Sequence, residues 1–324
     1  GMVNRIINGD MRIDQRNAGA SVTPVNGQYT LDRWRANLSA ASKYSVQQDA
    51  GAVTPPVGFN DYLGVTSLSA YTVGAAETFA IQQFIEGYNV ADLGWGTANA
   101  KTVTLSFWVR SSLTGTFGGS LRNNADNRSY PYTYTISSAN TWEYKTVTIA
   151  GDTTGTWNTT NANGIKLIFG LGVGSTLSGT AGAWAGSNFS SATGSASVVG
   201  TSGATFYVTG VQLEKGSTAT DFEYVDYSRQ LQMCQRYYEN IVLLDVSGYV
   251  EANKQAYSNI QLVPKRATPT VGAGSNTNSS NYLSFVVTFG TNDFQHCSLK
   301  LNGANGAVPY IRTTFNNFVF NSEL

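Results

Sequence analysis

Residues 102–110, TVTLSFWVR, decide the fold class. Val103, Leu105, Phe107 and Val109 fall on one side of an extended chain; Thr104, Ser106, Trp108 and Arg110 fall on the other. Successive side chains of a strand point to opposite faces, so this alternation predicts a strand with an apolar face toward a core. The opposite face is polar and carries one large ring. The same period recurs at 144–149, 165–169 and 205–213, where Gly210 predicts a bulge or a close approach. Asn163 and Gly164 read as a hairpin turn before the second of these strands.

Working outward, further strands are expected around 43–46 and across 62–71. Residues 80–88, AIQQFIEGY, suit either a strand or a short helix stopped by Gly87. Residues 170–203 are rich in Gly, Ser, Thr and Ala and predict a long, ordered surface loop. Residues 228–240, SRQLQMCQRYYEN, form the one helical segment. Beyond it, 241–249, 257–263, 282–289 and 310–320 read as strands. The expected class is all-β, with a large domain at 1–228, a helical connector at 229–239 and a small C-terminal β domain at 240–324. No repeat with a period of 20–50 residues supports a propeller or a β-helix.

Composition narrows the function. The 324 residues include 34 Gly, 18 Tyr and 15 Phe, a mixture that suits pleated sheets and tight turns. Charged residues make up 12%, about half the usual share. Lys+Arg and Asp+Glu balance at 20 each, and without a basic stripe nucleic-acid binding is not expected. No apolar run reaches the roughly 20 residues of a membrane-spanning helix, so no membrane insertion is expected. The opening segment GMVNRIINGD lacks the apolar stretch of a secretory signal, which predicts synthesis in a host cytoplasm. Cys234 and Cys297 are expected as unbridged thiols.

Catalytic signatures are weak. His296 is the sole histidine, and a neighbouring Cys297 would project to the opposite side of a strand. One His and two distant Cys fall short of a zinc site. Glu77, Glu86, Asp92 and Glu143 are the carboxylates to consider for glycan cleavage, but no glycosidase signature surrounds them. Glu214 and Lys215 read as a turn after a strand. Residues 170–174, GLGVG, lack the Lys and helix of a phosphate loop. The expectation is no catalytic residue, no cofactor and no metal.

Several short motifs, in fixed order, carry a resemblance. NRIINGD at 4–10, Asp32-Arg33-Trp34, AKTVTLSFWVRS at 100–111, TFYVTGVQLEKG at 205–216 and MCQRYY at 233–238 resemble bacteriophage and prophage tail-fibre-like appendage proteins. KRATPT at 265–270 and the final Ser322-Glu323-Leu324 are similar to the closing domain of that group. The first part also resembles the jelly-roll carbohydrate-binding modules, which implies a two-sheet antiparallel sandwich with a ligand face. Those modules often hold a structural calcium with carboxylates near the Asn-Gly turn and before the last strand. This chain offers Arg12 and Thr209-Gly210 there, so a calcium site is not expected.

The resemblance implies a virion component, a tail-fibre-like adhesion protein with host-surface glycan as its ligand class and other virion proteins as partners. Fibre architecture implies a homotrimer held by the second domain and the connector. Trp108 and Arg110, opposite the apolar row, are the expected glycan contacts, with Trp95 and Trp184 contributing from loops. Trp108 also admits a second reading, as an anchor beneath the 170–203 loop. Trp34, Trp142 and Trp157 are expected to cap the core. The competing functions are a polysaccharide-degrading tailspike and an architectural decoration without a ligand.

Overall fold

The computed structural model describes residues 2–249, 255–280, 282–291, 293–303 and 310–324. The chain is all-β, an antiparallel jelly-roll sandwich followed by a small C-terminal β domain. It divides into two compact units: Gly1–Asp226 with Leu324, and Tyr227–Glu323.

The first unit contains β1 (Arg35–Leu38), β2 (Tyr44–Gln48), β3 (Leu63–Ser67), β4 (Thr78–Glu86), β5 (Val103–Ser111) and β6 (Gly115–Arg122). These are followed by β7 (Ser129–Ile136), β8 (Glu143–Ile149), β9 (Asn163–Val173), β10 (Ser178–Gly179), β11 (Ser191–Ala192) and β12 (Thr205–Lys215). One sheet has the order β1-β4-β9-β6-β7 and the other β2-β3-β12-β5-β8. Val103, Leu105, Phe107 and Val109 are all fully buried between them, as the period-two reading of β5 requires.

The amino-terminal motif closes the sandwich onto its last strand. Asn4 Nδ2 donates to Val211 O at 3.0 Å, while Asn4 Oδ1 accepts from Ile6 N and Leu213 N. Arg5 N donates to Leu213 O, and Val211 N donates to Gly9 O. Gly9 has no room for a side chain, since a Cβ there would lie 2.1 Å from Val211 O. Asn8, at φ 58°, donates through Nδ2 to Ile13 O and Asp32 O and accepts from Ile13 N. Trp34, fully buried, donates its indole N–H to Asn8 O. NRIINGD and Asp32-Arg33-Trp34 are therefore one hydrogen-bonded corner.

The structure settles one open local reading and changes others. Residues 80–88 resolve into the strand β4 plus a single 3₁₀ turn at Gly87–Asn89. All nine residues of β4 are buried, which erases the alternation that would have marked it. Its outer face is covered by the amino-terminal segment, where Gln83 exchanges two hydrogen bonds with the Ile7 backbone. Asn163 and Gly164 are no hairpin; they belong to β9, which also takes in the first residues of the expected loop. Strands β6 and β7 went unread because Gly-rich GTFGGSLR packs few side chains and β7 contains Pro131. Proline is tolerated there because β7 is an edge strand.

The second unit contains α1 (Tyr227–Gln235), β13 (Tyr238–Tyr249), β14 (Gln255–Gln261), β15 (Thr270–Ala273), β16 (Asn276–Ser280), β17 (Tyr282–Phe289), β18 (His296–Gly303) and β19 (Tyr310–Asn321). Strand β19 pairs with β13, β15 and β16, and a second sheet runs β14-β18-β17. Leu299, Leu301, Phe318 and Phe320 are fully buried in its core. The helix is shorter than the expected 228–240, because the chain turns into β13 at Tyr238. Here too the motifs converge. Ser322 N donates to Tyr237 O at 2.7 Å, Arg266 Nε donates to Ser322 O, and Lys265 Nζ donates to Gln235 O. Cys234 and Cys297 are buried and not joined to each other.

Candidate functional site

Because β5 commits one side of its residues to the core, Thr104, Ser106 and Trp108 must face outward. Tyr144, Thr146 and Thr148 of the edge strand β8 stand beside them, in ladder register with Trp108, Ser106 and Thr104. Together these six form the floor of a groove of about 610 Å³. The Trp108 and Tyr144 ring centroids are 5.4 Å apart with planes inclined by 48°. Thr104 Oγ1 donates to Gly216 O at 2.8 Å and Thr148 Oγ1 to Ser217 O at 3.2 Å, which ties the following turn to the floor. Among the described residues the Ser106 and Thr146 hydroxyls have no protein partner.

Phe59, Gly210 and the turn at 217–222 make the wall. Phe59 meets Phe222 edge-on at 5.2 Å. The expected bulge in β12 falls between Thr209 and Gln212, with Gly210 at φ 61°. A Cβ on Gly210 would lie 2.7 Å from the Phe59 ring and 3.2 Å from Trp108 Cδ1, so only glycine lets both rings close in. Asp221 supplies the one carboxylate among the described lining residues, and no Lys or Arg lines the groove. The site is aromatic, hydroxyl-rich and nearly uncharged.

No protein-family model and no curated protein matches the chain. Solved structures do resemble it. The tailspike protein 4 enzymatically active domain of bacteriophage CBA120 is 13% identical, with a TM-score of 0.37 over 66% of this chain. This chain spans only 22% of that tailspike chain. The module TmCBM61, solved with β-1,4-galactotriose, is 9% identical with a TM-score of 0.34, covering 66% of this chain and all of its own. The family 11 carbohydrate-binding module of Clostridium thermocellum is 12% identical with a TM-score of 0.30, over 60% of this chain and 96% of its own. Likeness at this level carries no functional weight.

The four expected contact residues do not converge. Trp108 lines the groove. Arg110 lies two residues further along the same face, opposite Tyr207 in the ladder and outside the groove lining. Burial pushes the Tyr207 phenol up, and the Arg110 charge pulls it back. Trp95 is buried, edge-on to Trp157 at 4.8 Å and to Trp184 at 5.3 Å. Trp184 is half-buried, packs on Tyr130 and donates its indole N–H to Ala150 O. Neither lines the groove; both rings pack edge-on in a cluster with Trp157, and Trp184 also with Tyr130. Trp142 lies on the outer face of the sheet against Tyr62 and donates to Thr54 O.

The carboxylates considered for cleavage all have structural partners away from the groove. Glu77 accepts from the Tyr71 hydroxyl, and Glu86 is buried in β4. Arg5 clamps Asp92 with two hydrogen bonds of 2.7 and 2.9 Å and holds its carboxyl below the usual range. Burial pushes Glu143 up, but the Ser138 and Ser137 amides and Lys145 bring it below its ordinary value. His296 is exposed and contacts Asp293 at 3.1 Å. Burial, with the Asp293 and Glu239 charges, pushes the Cys297 thiol up to about 11, which leaves it a poor nucleophile.

Sequence reasoning missed Tyr144, Thr146 and Thr148, although the alternation at 144–149 already set them opposite Val147 and Ile149. Phe59, Asp221 and Phe222 gave no such signal, since they arrive on irregular segments.

Proposed function

We propose that this chain is a non-enzymatic glycan-binding adhesion protein, a tail-fibre-like component of a bacteriophage virion, made in the host cytoplasm. One observation carries the glycan reading: the Trp108–Tyr144 ring pair on the outer sheet face, half-buried and exposed respectively, beside the exposed Thr146 and Thr148 and above the buried Thr104 and Ser106. Sugar rings present C–H faces that pack on aromatic planes and hydroxyls that pair with hydroxyls. A mixed site with a few placed polar groups suits that chemistry. Binding without hydrolysis is supported by the carboxylate count. Glycosidases place two carboxyl groups across the scissile bond, and this groove has only Asp221 among its described lining residues. The ordered motifs NRIINGD through Ser322-Glu323-Leu324 support the virion setting.

Replacing Trp108 with alanine is expected to weaken binding to host-envelope polysaccharide at least tenfold, or about 1.4 kcal/mol. The thermal midpoint should barely move, since the ring sits on the outer face. Affinity electrophoresis and calorimetry check both. Unchanged retention sinks the reading, as does a variant that unfolds. Steady release of reducing ends by the intact protein would favour a tailspike.

A homotrimer is part of the proposal. Val242, Leu243 and Leu283 of the second unit are 64–69% exposed, apolar side chains that self-association would cover. Sedimentation at micromolar concentration is expected to give a trimer, and a monomer alone would refute this element.

A further inference from the structure

Four aromatic rings and one carboxylate meet in the groove without a cation. Trp108 and Tyr144 stand on the floor with ring centroids 5.4 Å apart, and Phe59 and Phe222 stand in the wall at 5.2 Å. All four keep part of their surface open to solvent. Asp221 is the single charged side chain among the described lining residues.

Asp221 is held in place, yet its carboxylate is not used. The 217–222 turn hangs on two buried side chains of β12, Gln212 and Glu214. Glu214 Oε1 accepts from Thr220 Oγ1 at 2.7 Å, and Glu214 Oε2 accepts from Thr220 N at 3.1 Å. Gln212 Oε1 accepts from Glu223 N at 2.8 Å, while Gln212 Nε2 donates to Glu214 Oε2 at 2.7 Å. The chain is thus fixed on both sides of Asp221. Glu223 in turn accepts from the Val3 and Asn4 amides. Glu214 and Glu223 therefore spend their charge on protein donors. Among the described residues the Asp221 carboxylate has neither a protein donor nor an ion-pair partner.

The face of an aromatic ring is electron-rich and attracts a cation placed over it. A free carboxylate attracts the same cation and accepts its hydrogen bonds. An anionic ligand group would meet Asp221 with no basic side chain in the lining to offset the repulsion, so acidic sugars are disfavoured.

We propose that the groove takes a positively charged nitrogen of its ligand against the aromatic rings, with Asp221 as the counter-ion that sets specificity. The proposal rests on the glycan reading for what carries the nitrogen. Two carriers share this chemistry: an amino sugar whose nitrogen bears no acyl group, and a choline substituent on a surface polysaccharide.

Calorimetric titration of the intact protein with glucosamine oligomers and with N-acetylglucosamine oligomers of equal length tests the first carrier. The buffer is mildly acidic, so that the sugar amine is protonated. The amine form is expected to bind about tenfold more tightly than the acetylated form. Asp221→Asn keeps the shape of the side chain and removes its charge, and is expected to abolish that preference. Added salt should weaken the amine form more than the acetylated one. Asp293→Asn removes an exposed carboxylate of the second unit and should leave the preference in place. A preference lost in Asp293→Asn as well would show bulk charge at work and overturn the proposal.

Choline chloride, titrated in the same way, tests the second carrier. Tighter binding of choline than of the glucosamine oligomer assigns the groove to choline, and the reverse order assigns it to the amino sugar. If neither binds in a manner that Asp221→Asn abolishes, the cationic site is refuted. Retention of host-envelope polysaccharide through Trp108 would in that case leave the glycan reading standing. Choline binding through Asp221, with no polysaccharide retained, would instead refute the glycan reading and leave the cationic site standing.

Discussion

Replacing Asn8 with alanine is expected to cost the first unit about 4 kcal/mol, enough to unfold a domain of ordinary stability under mild stress. Two buried backbone groups, Ile13 N and Asp32 O, lose their partner, and Ile13 O is left with Asp32 N alone. Each buried group left unpaired costs about 1–3 kcal/mol. Alanine is also strained at φ 58°, where asparagine is comparatively at ease. Asn8→Gly separates the two effects, since glycine accepts the backbone angle and restores no hydrogen bond. Urea unfolding should place Asn8→Gly between the native protein and Asn8→Ala. A loss below 1 kcal/mol in Asn8→Ala contradicts the corner described for Asn8, Ile13 and Asp32.

In the second unit the largest loss is expected from Lys265→Met, about 3–5 kcal/mol. The Lys265 side chain has no exposed surface, and its ammonium pairs with Glu239 while donating to Gln235 O and Val263 O. Burial pulls the Lys265 ammonium below its ordinary range, and the Glu239 charge opposes that pull. Removing the cation leaves the Glu239 carboxylate, itself largely buried, with Val263 N as its remaining neutral donor. It also strips the last helical carbonyl of its partner. Pairing Lys265→Met with Glu239→Gln should recover a large part of the loss, because no uncompensated charge then remains. Two independent, additive losses in the double variant would show that the ion pair is not what holds this corner.

These corners explain what the recognisable motifs are for. NRIINGD, Asp32-Arg33-Trp34 and VQLEKG meet in the first unit; MCQRYY, KRATPT and Ser322 meet in the second. Their side chains satisfy buried backbone groups instead of facing a ligand. The groove, by contrast, draws Phe59 and Phe222 from segments with no motif at all.

The sequence alone determined that the chain is all-β and which face of β5 enters the core, because strand alternation is a local property of consecutive residues. It placed Trp108 on the outer face for the same reason. It also marked Gly210, whose missing side chain permits a bulge. Tertiary structure alone decided the rest. Whether an outward tryptophan is open or spent depends on what packs over it, so Trp108 floors a groove while Trp95 and Trp184 cover each other. Strand β4 lost its periodic signal because a second layer buried its outer face.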